Sequence, residues 1–169
     1  MCYNEVVKGF EKIIKLSKKK KLRKVVAVKK IPVKKLKKQL EKVCHDFIRG
    51  RDGINGQFKG YCFDCGNYAE GQQFQAGHWE ASGSSGALLR YHPHNIHGQT
   101  GGCNMAYSQE RVKIAYTLRM IDKYGREYVD KLRAMKHKTI KADSTFYTTM
   151  IRLYEYQDEN MIVQFLESL

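Results

Sequence analysis

Between residues 53 and 108 the chain lacks the means to build a hydrophobic core of its own. That stretch holds 11 of the 14 glycines, four of the six histidines and three of the five cysteines, with few long apolar runs. A segment so poor in burial and so rich in soft ligands is commonly organised by a bound metal rather than by packing. Whatever core the protein has must come from the flanks.

The flanks can supply one. Leu36, Leu40, Val43, Phe47 and Ile48 recur at spacings of three and four, which predicts an amphipathic helix over about 33–49, with lysines opposite. Gly50 and the Asp52-Gly53 turn end it. From Asn104 the pattern turns helical again through Ala106, Val112, Ile114, Ala115, Leu118 and Ile121, and Lys123-Tyr124-Gly125 terminates it. Three further helical stretches are predicted near 126–136, 144–156 and 158–168. Their aromatics Phe146, Tyr147, Tyr154, Tyr156 and Phe165 fall at helical spacing, which points to packing on the basic helix or a second subunit rather than to base stacking. Inside the glycine-rich stretch, Gln72 to Trp79 reads as a strand ending in a polar loop, Ser82 to Gly86 as a flexible connection. A second strand falls on either Leu88–Tyr91 or Asn95–Gln99. The fold class is therefore α+β: a small finger with helices on both sides. Three regions follow, a basic arm over 1–32, a core with its leading helix over 33–125, and a helical region over 126–169.

Charge is confined to one segment. Residues 8–42 carry 16 Lys or Arg against Glu11 and Glu41, whereas the rest of the chain is formally neutral although the whole carries +14. Such a segment neutralises phosphates and releases counterions, giving salt-sensitive, sequence-blind affinity for nucleic acid. Lys18, Lys19, Lys20, Lys21, Arg23 and Lys24 are its densest part and the expected DNA contacts. A solubilising tail and an anionic membrane surface are the competing readings; few large apolar residues are present to enter lipid. No run of about 18 apolar residues exists to span a membrane. The opening Met1-Cys2-Tyr3-Asn4-Glu5 lacks the pattern of a secretory signal, so a cytoplasmic protein is expected.

Five cysteines without an export signal argue against disulfides. Cys62 and Cys65 lie in a glycine-bounded turn, Gly60-Tyr61-Cys62-Phe63-Asp64-Cys65-Gly66, which suits a zinc knuckle better than a redox pair at a helix start. Cys2 and Cys44 look like bystanders, and His45 and His137 like ordinary surface residues of helices. Together with His78, Asn95, Cys103 and Asn104, the knuckle forms an ordered set whose chemical logic is phosphodiester hydrolysis. A histidine at a strand end titrates near working pH and can deprotonate a water. A divalent cation can bind the phosphate. An amide oxygen such as that of Asn104 suits a hard ion like Mg²⁺ or Mn²⁺. A second asparagine, Asn95, can hold the histidine ring in orientation. Plainer roles are a strand-capping His78, a turn at Asn95 and a helix N-cap at Asn104.

These residues resemble the NinG (Rap) family of lambdoid phage recombination endonucleases, themselves HNH-like ββα-metal (His-Me finger) nucleases. The matching positions begin near Leu36 and include Phe47-Ile48-Arg49-x-Arg51-Asp52, Gly60-Tyr61-Cys62-x2-Cys65-Gly66 and Ala76-Gly77-His78. They continue through Arg90-Tyr91, Asn95-Ile96-His97-x-Gln99, Cys103-Asn104 and Asp122 to Gly125, over roughly 36–135. The resemblance implies a finger held by structural Zn²⁺, with His78 as general base, Asn95 as the central asparagine of the motif and Asn104 as ligand of a catalytic Mg²⁺ or Mn²⁺. It implies hydrolysis of branched recombination intermediates such as D-loops and Holliday junctions, in a bacterial host cytoplasm. Two departures stand out. The family's second C-x-x-C begins here with Thr100, leaving Cys62, Cys65 and Cys103 to bind zinc with a histidine, His97 or else His94 or His92, as fourth ligand. The place before the base, often a metal ligand in the broader motif, is Gly77. Arg90 is expected to contact phosphate, and a homodimer would suit the cutting of two strands. A non-catalytic zinc module that binds DNA or RNA, and an HNH nuclease of restriction or homing type acting on linear duplex, are the alternatives.

Overall fold

The computed structural model describes residues 31–169, so the arm's expected DNA contacts, Lys18, Lys19, Lys20, Lys21, Arg23 and Lys24, lie outside the described residues. The first helix, α1 (Val33–Arg51), buries Leu36, Leu40, Cys44 and Ile48 along one stripe, as the periodicity predicts. That stripe packs against α6 (Ser144–Tyr156), whose Phe146, Tyr147, Met150, Ile151, Leu153 and Tyr154 are buried. Asp143 caps α6 by accepting from the backbone N–H groups of Thr145 and Phe146 at 2.9 and 3.0 Å. Cys44 is a core residue; burial pushes its thiol up to about 12, which makes it chemically inert.

Between these helices lie two small antiparallel hairpins. One pairs β1 (Lys59–Tyr61) with β2 (Tyr68–Glu70) and carries the Cys62–Cys65 turn at its tip. The other pairs β3 (Phe74–His78) with β4 (Ile96–Thr100), in register from Phe74 opposite Thr100 to His78 opposite Ile96. The hairpins join where the Phe63 N–H donates to the Gly98 carbonyl at 2.8 Å. Gly98 is required there because a Cβ would lie 2.3 Å from the buried Phe74 ring.

The second strand thus falls at the later of its two expected places. Residues 87–90 form instead a single helical turn, α2 (Ala87–Arg90). After β4 comes α3 (Gly101–Met105), directly and without a loop. The helix expected from Asn104 starts three residues earlier, because the Thr100 hydroxyl accepts the Cys103 N–H at 3.3 Å and caps it there. Thr100, and not Asn104, is the N-cap. The helix breaks at 106–108 and resumes as α4 (Glu110–Tyr124), followed by α5 (Arg126–Ala134) and α7 (Glu159–Glu167).

Arg51 ties the helices to the second hairpin. Its guanidinium donates to Glu159 at 2.6 Å, to the carbonyls of Pro93 and Ile96 at 3.0 and 2.8 Å, and to both carboxylate oxygens of Asp52. Asp52 in turn accepts the Gly98 N–H at 2.7 Å. Removing the cation leaves two carboxylates and two carbonyls facing one another with little water. Arg51→Met is therefore expected to cost about 3–5 kcal/mol in urea unfolding. A loss under about 1 kcal/mol would mean that Arg51 is only a surface ion pair.

Candidate functional site

His78 ends β3, turned towards α1. Its Nε2 lies 3.0 Å from the Arg90 carbonyl, which can only accept, so Nε2 carries the proton and Nδ1 keeps the lone pair. The ring meets His45 of α1 edge to face, with centroids 5.8 Å apart. Burial, and then the neighbouring His45, push His78 down to about 4, so its ring is neutral at neutral pH. His45 is itself lowered, chiefly by burial. It lines an open cleft of about 510 Å³ together with Lys42, Arg49, Gln72, Gln75 and Asn104. The expectation that His45 is an ordinary surface residue is corrected here; the signal for its placement, its helical spacing to the buried face of α1, was present in the sequence.

Asn104 is the fourth residue of α3. Its Nδ2 donates to Gln75 Oε1 at 2.8 Å, and its Oδ1 faces the other way, 3.0 Å from the point where a Cβ on Gly77 would sit. Residues 77 and 78 are consecutive, so the chain brings Asn104 and His78 to the same strand end. They leave it on opposite faces of β3: His78 on the α1 side, Asn104 on the side of Gly77. Another cleft, about 650 Å³ between α1 and α6, contains Asp46, Glu155 and Glu159 beside Arg51. Acidic lining of this kind does not attract phosphate.

Cys62, Cys65 and Cys103 bring their sulfurs within 4.8 Å of one another. Among the described residues, this is the one such group of His, Cys, Asp or Glu side chains. The Gly66 N–H donates to the Cys62 carbonyl at 2.9 Å, closing the knuckle. Three thiolates around one zinc at about 2.3 Å would stand roughly 3.8 Å apart, so the cluster fits that ion with slight contraction. Burial pushes the Cys103 thiol up to about 12; at Cys65 burial also raises, but hydrogen bonds from the Asn67 backbone and from Cys103, Cys62 and Thr100 outweigh it and hold that thiol below its ordinary value. Beside the cluster stands Thr100, its hydroxyl 3.7 Å from the Cys62 sulfur, in the place of a fourth thiol. A Zn²⁺ held here would join the first hairpin to α3.

Several expectations require correction. His97 is not the fourth ligand. It is fully buried, stacked on Phe63 at 3.9 Å, and its two ring nitrogens pair with the hydroxyls of Tyr116 and Tyr124 at 3.1 and 2.9 Å. His92 and His94 are also outside the cluster; His94 pairs with Tyr128 at 2.8 Å, near Glu159. Asn95 does not touch the His78 ring. It is fully buried, accepting the Glu80 N–H at 2.9 Å and donating to the carbonyls of Glu80 and Leu89. It pins the loop after β3 to α2, whose Arg90 carbonyl does hold the ring. The Arg90 guanidinium is engaged by Glu41 and the Ser82 carbonyl, while the backbone carbonyl of the same residue holds the His78 ring.

Among the described residues no helix is long and apolar enough to cross a membrane. A family model described as Bacteriophage Lambda NinG protein matches residues 7–160. No curated protein and no solved structure matches the chain.

Proposed function

Because this chain belongs to the bacteriophage Lambda NinG protein family, we propose that it serves phage recombination as a metal-dependent endonuclease that cuts branched DNA. The observation that carries the reading is the order β3–β4–α3, with Gly77-His78 at the end of the first strand and the Asn104 amide oxygen, on the helix, against Gly77. That order supports the reading of a ββα-metal finger of the HNH kind.

In this reading His78 Nδ1 takes a proton from water as the water oxygen attacks phosphorus, and the P–O bond to the leaving sugar oxygen breaks. The Arg90 carbonyl holds the ring in the required tautomer. Asn104 would hold Mg²⁺ or Mn²⁺; such a cation, when bound, supplies positive charge to the phosphate and to the departing oxygen. A Zn²⁺ at Cys62, Cys65 and Cys103 would have no chemical step. It would fix a five-residue helix, too short to hold itself, and with it Asn104. The basic segment over 8–42 gives affinity for the DNA backbone, reading charge and shape rather than sequence.

One observation favours a second reading, a non-catalytic zinc module. His78 and Asn104 flank β3 from opposite faces, and a base must reach the water beside the cation. The test is a mixture of labelled four-way junction and linear duplex of the same sequence, with Mg²⁺ or Mn²⁺. Junction nicking at least tenfold faster than duplex nicking is the expected result. Tight binding without cleavage would select the binding module, and cleavage of linear duplex at one defined sequence would select a restriction or homing type of nuclease.

A further inference from the structure

We infer that Gln99 is a second protein ligand of the divalent cation site at Asn104, and that Asp64 aims it. The inference rests on the reading that Asn104 holds a hard cation, and it explains how the site works without a side chain at position 77.

Gln99 is fully buried, yet its Oε1 has no hydrogen-bond partner. An amide oxygen in that condition needs a donor or a cation. Its position is specific. A Cβ built on Gly77 would sit 1.4 Å from Gln99 Oε1 and 3.0 Å from Asn104 Oδ1. The Gln99 amide therefore fills the space that a side chain at 77 would take, and two amide oxygens, one from β4 and one from α3, converge on one small volume. Oxygen ligands from neutral amides, completed by water and substrate phosphate, suit Mg²⁺ or Mn²⁺.

The amide's direction is set by Asp64, on the cysteine knuckle. Gln99 Nε2 donates to Asp64 Oδ2. A carboxylate only accepts, so it draws the nitrogen towards itself and turns Oε1 towards Gly77. Asp64 is also buried, and its carboxylate places negative charge one residue behind the ligand, where it strengthens cation binding without touching the ion. Asp64 is thus a positioning residue. Its place between Cys62 and Cys65 means that one knuckle both fixes α3 and orients Gln99.

The experiment is a Mn²⁺ titration of the zinc-loaded full chain, followed by water-proton relaxation, with circular dichroism on each variant. Gln99→Leu, apolar and without the oxygen, should weaken Mn²⁺ at least tenfold with an unchanged spectrum. Asp64→Asn, which keeps volume but frees the amide to turn, should weaken it several-fold. If Gln99→Leu does not fold, Asp64→Asn alone decides. Mn²⁺ affinity unchanged in both variants but lost in Asn104→Ala would overturn the role of Gln99, whose oxygen then holds only a water, and leave the cation site standing. Equal Mn²⁺ uptake by the wild type and Asn104→Ala would overturn both.

Discussion

His78→Ala is expected to slow junction cleavage by at least a hundredfold while leaving junction affinity within about twofold. The size follows from the loss of a positioned base, which contributes on the order of 10²–10⁴ in rate, and from the absence of any charge on the ring in the ground state. Burial keeps His78 neutral at neutral pH, so removing it takes no cation from the DNA-binding surface. The ring is only partly buried at the strand end and is not part of the hydrophobic core, so the fold should survive. Single-turnover cleavage and electrophoretic binding on the same junction check both halves. His45→Ala is the control. It removes the ring that lies against His78 and helps to lower its basicity, and should leave cleavage within about tenfold. Loss of binding in step with loss of cutting would assign His78 to DNA contact instead.

The second large effect comes from the cysteine cluster. Stripping its metal with a strong chelator is expected to abolish cleavage and to lower the melting temperature by 10 °C or more. Structural zinc contributes folding free energy directly, on the order of 10 kcal/mol in small fingers, and a few kcal/mol shifts a domain of this size by that much. Here the effect should reach the chemistry as well, because Cys103 is the immediate neighbour of Asn104 on α3, and a metal on its sulfur would anchor that helix. Cys103→Ser should reproduce the effect of chelation. Thr100→Cys should do the reverse. With its hydroxyl 3.7 Å from the Cys62 sulfur, residue 100 is placed to complete a tetrahedral set, and a thiol there should tighten zinc at least tenfold. Metal analysis of the chain, with thermal unfolding before and after chelation, decides the matter. A chain that carries no zinc, or that melts and cuts as before once stripped, would remove the cluster from the account.

What the sequence made legible divides along physical lines. Helices α1, α6 and α7 are carried by stripes that bury one face, and a stripe is a local property that survives in any packing. Leu36, Leu40 and Ile48 announced their face without knowledge of its partner. The knuckle was legible because two thiols and bounding glycines in one turn leave few uses. The histidines were not. His97, His92 and His94 have the same composition and spacing as zinc ligands, and only tertiary position decides that His97 and His94 face the hydroxyls of Tyr116, Tyr124 and Tyr128, while His92 takes the His94 N–H. Asn95 illustrates the same limit: its contacts are with backbone at 80 and 89, which no motif encodes. Gln99 escaped notice because the clue lies in a missing side chain across the ladder. Gly77 reads as a lost ligand in one dimension and as room for a neighbour's amide in three.

In the proposed mechanism one divalent cation, held by the α3 asparagine at the end of β3, would sit against a DNA phosphate. Crystals of the chain with a non-hydrolysable branched DNA and Mn²⁺, measured at the manganese absorption edge, test it most directly. An anomalous peak is expected within about 2.3 Å of Asn104 Oδ1 and of a phosphate oxygen, with His78 Nδ1 facing a water beside it. Manganese bound to phosphate but remote from Asn104, or His78 turned away from any water on that phosphate, would contradict it.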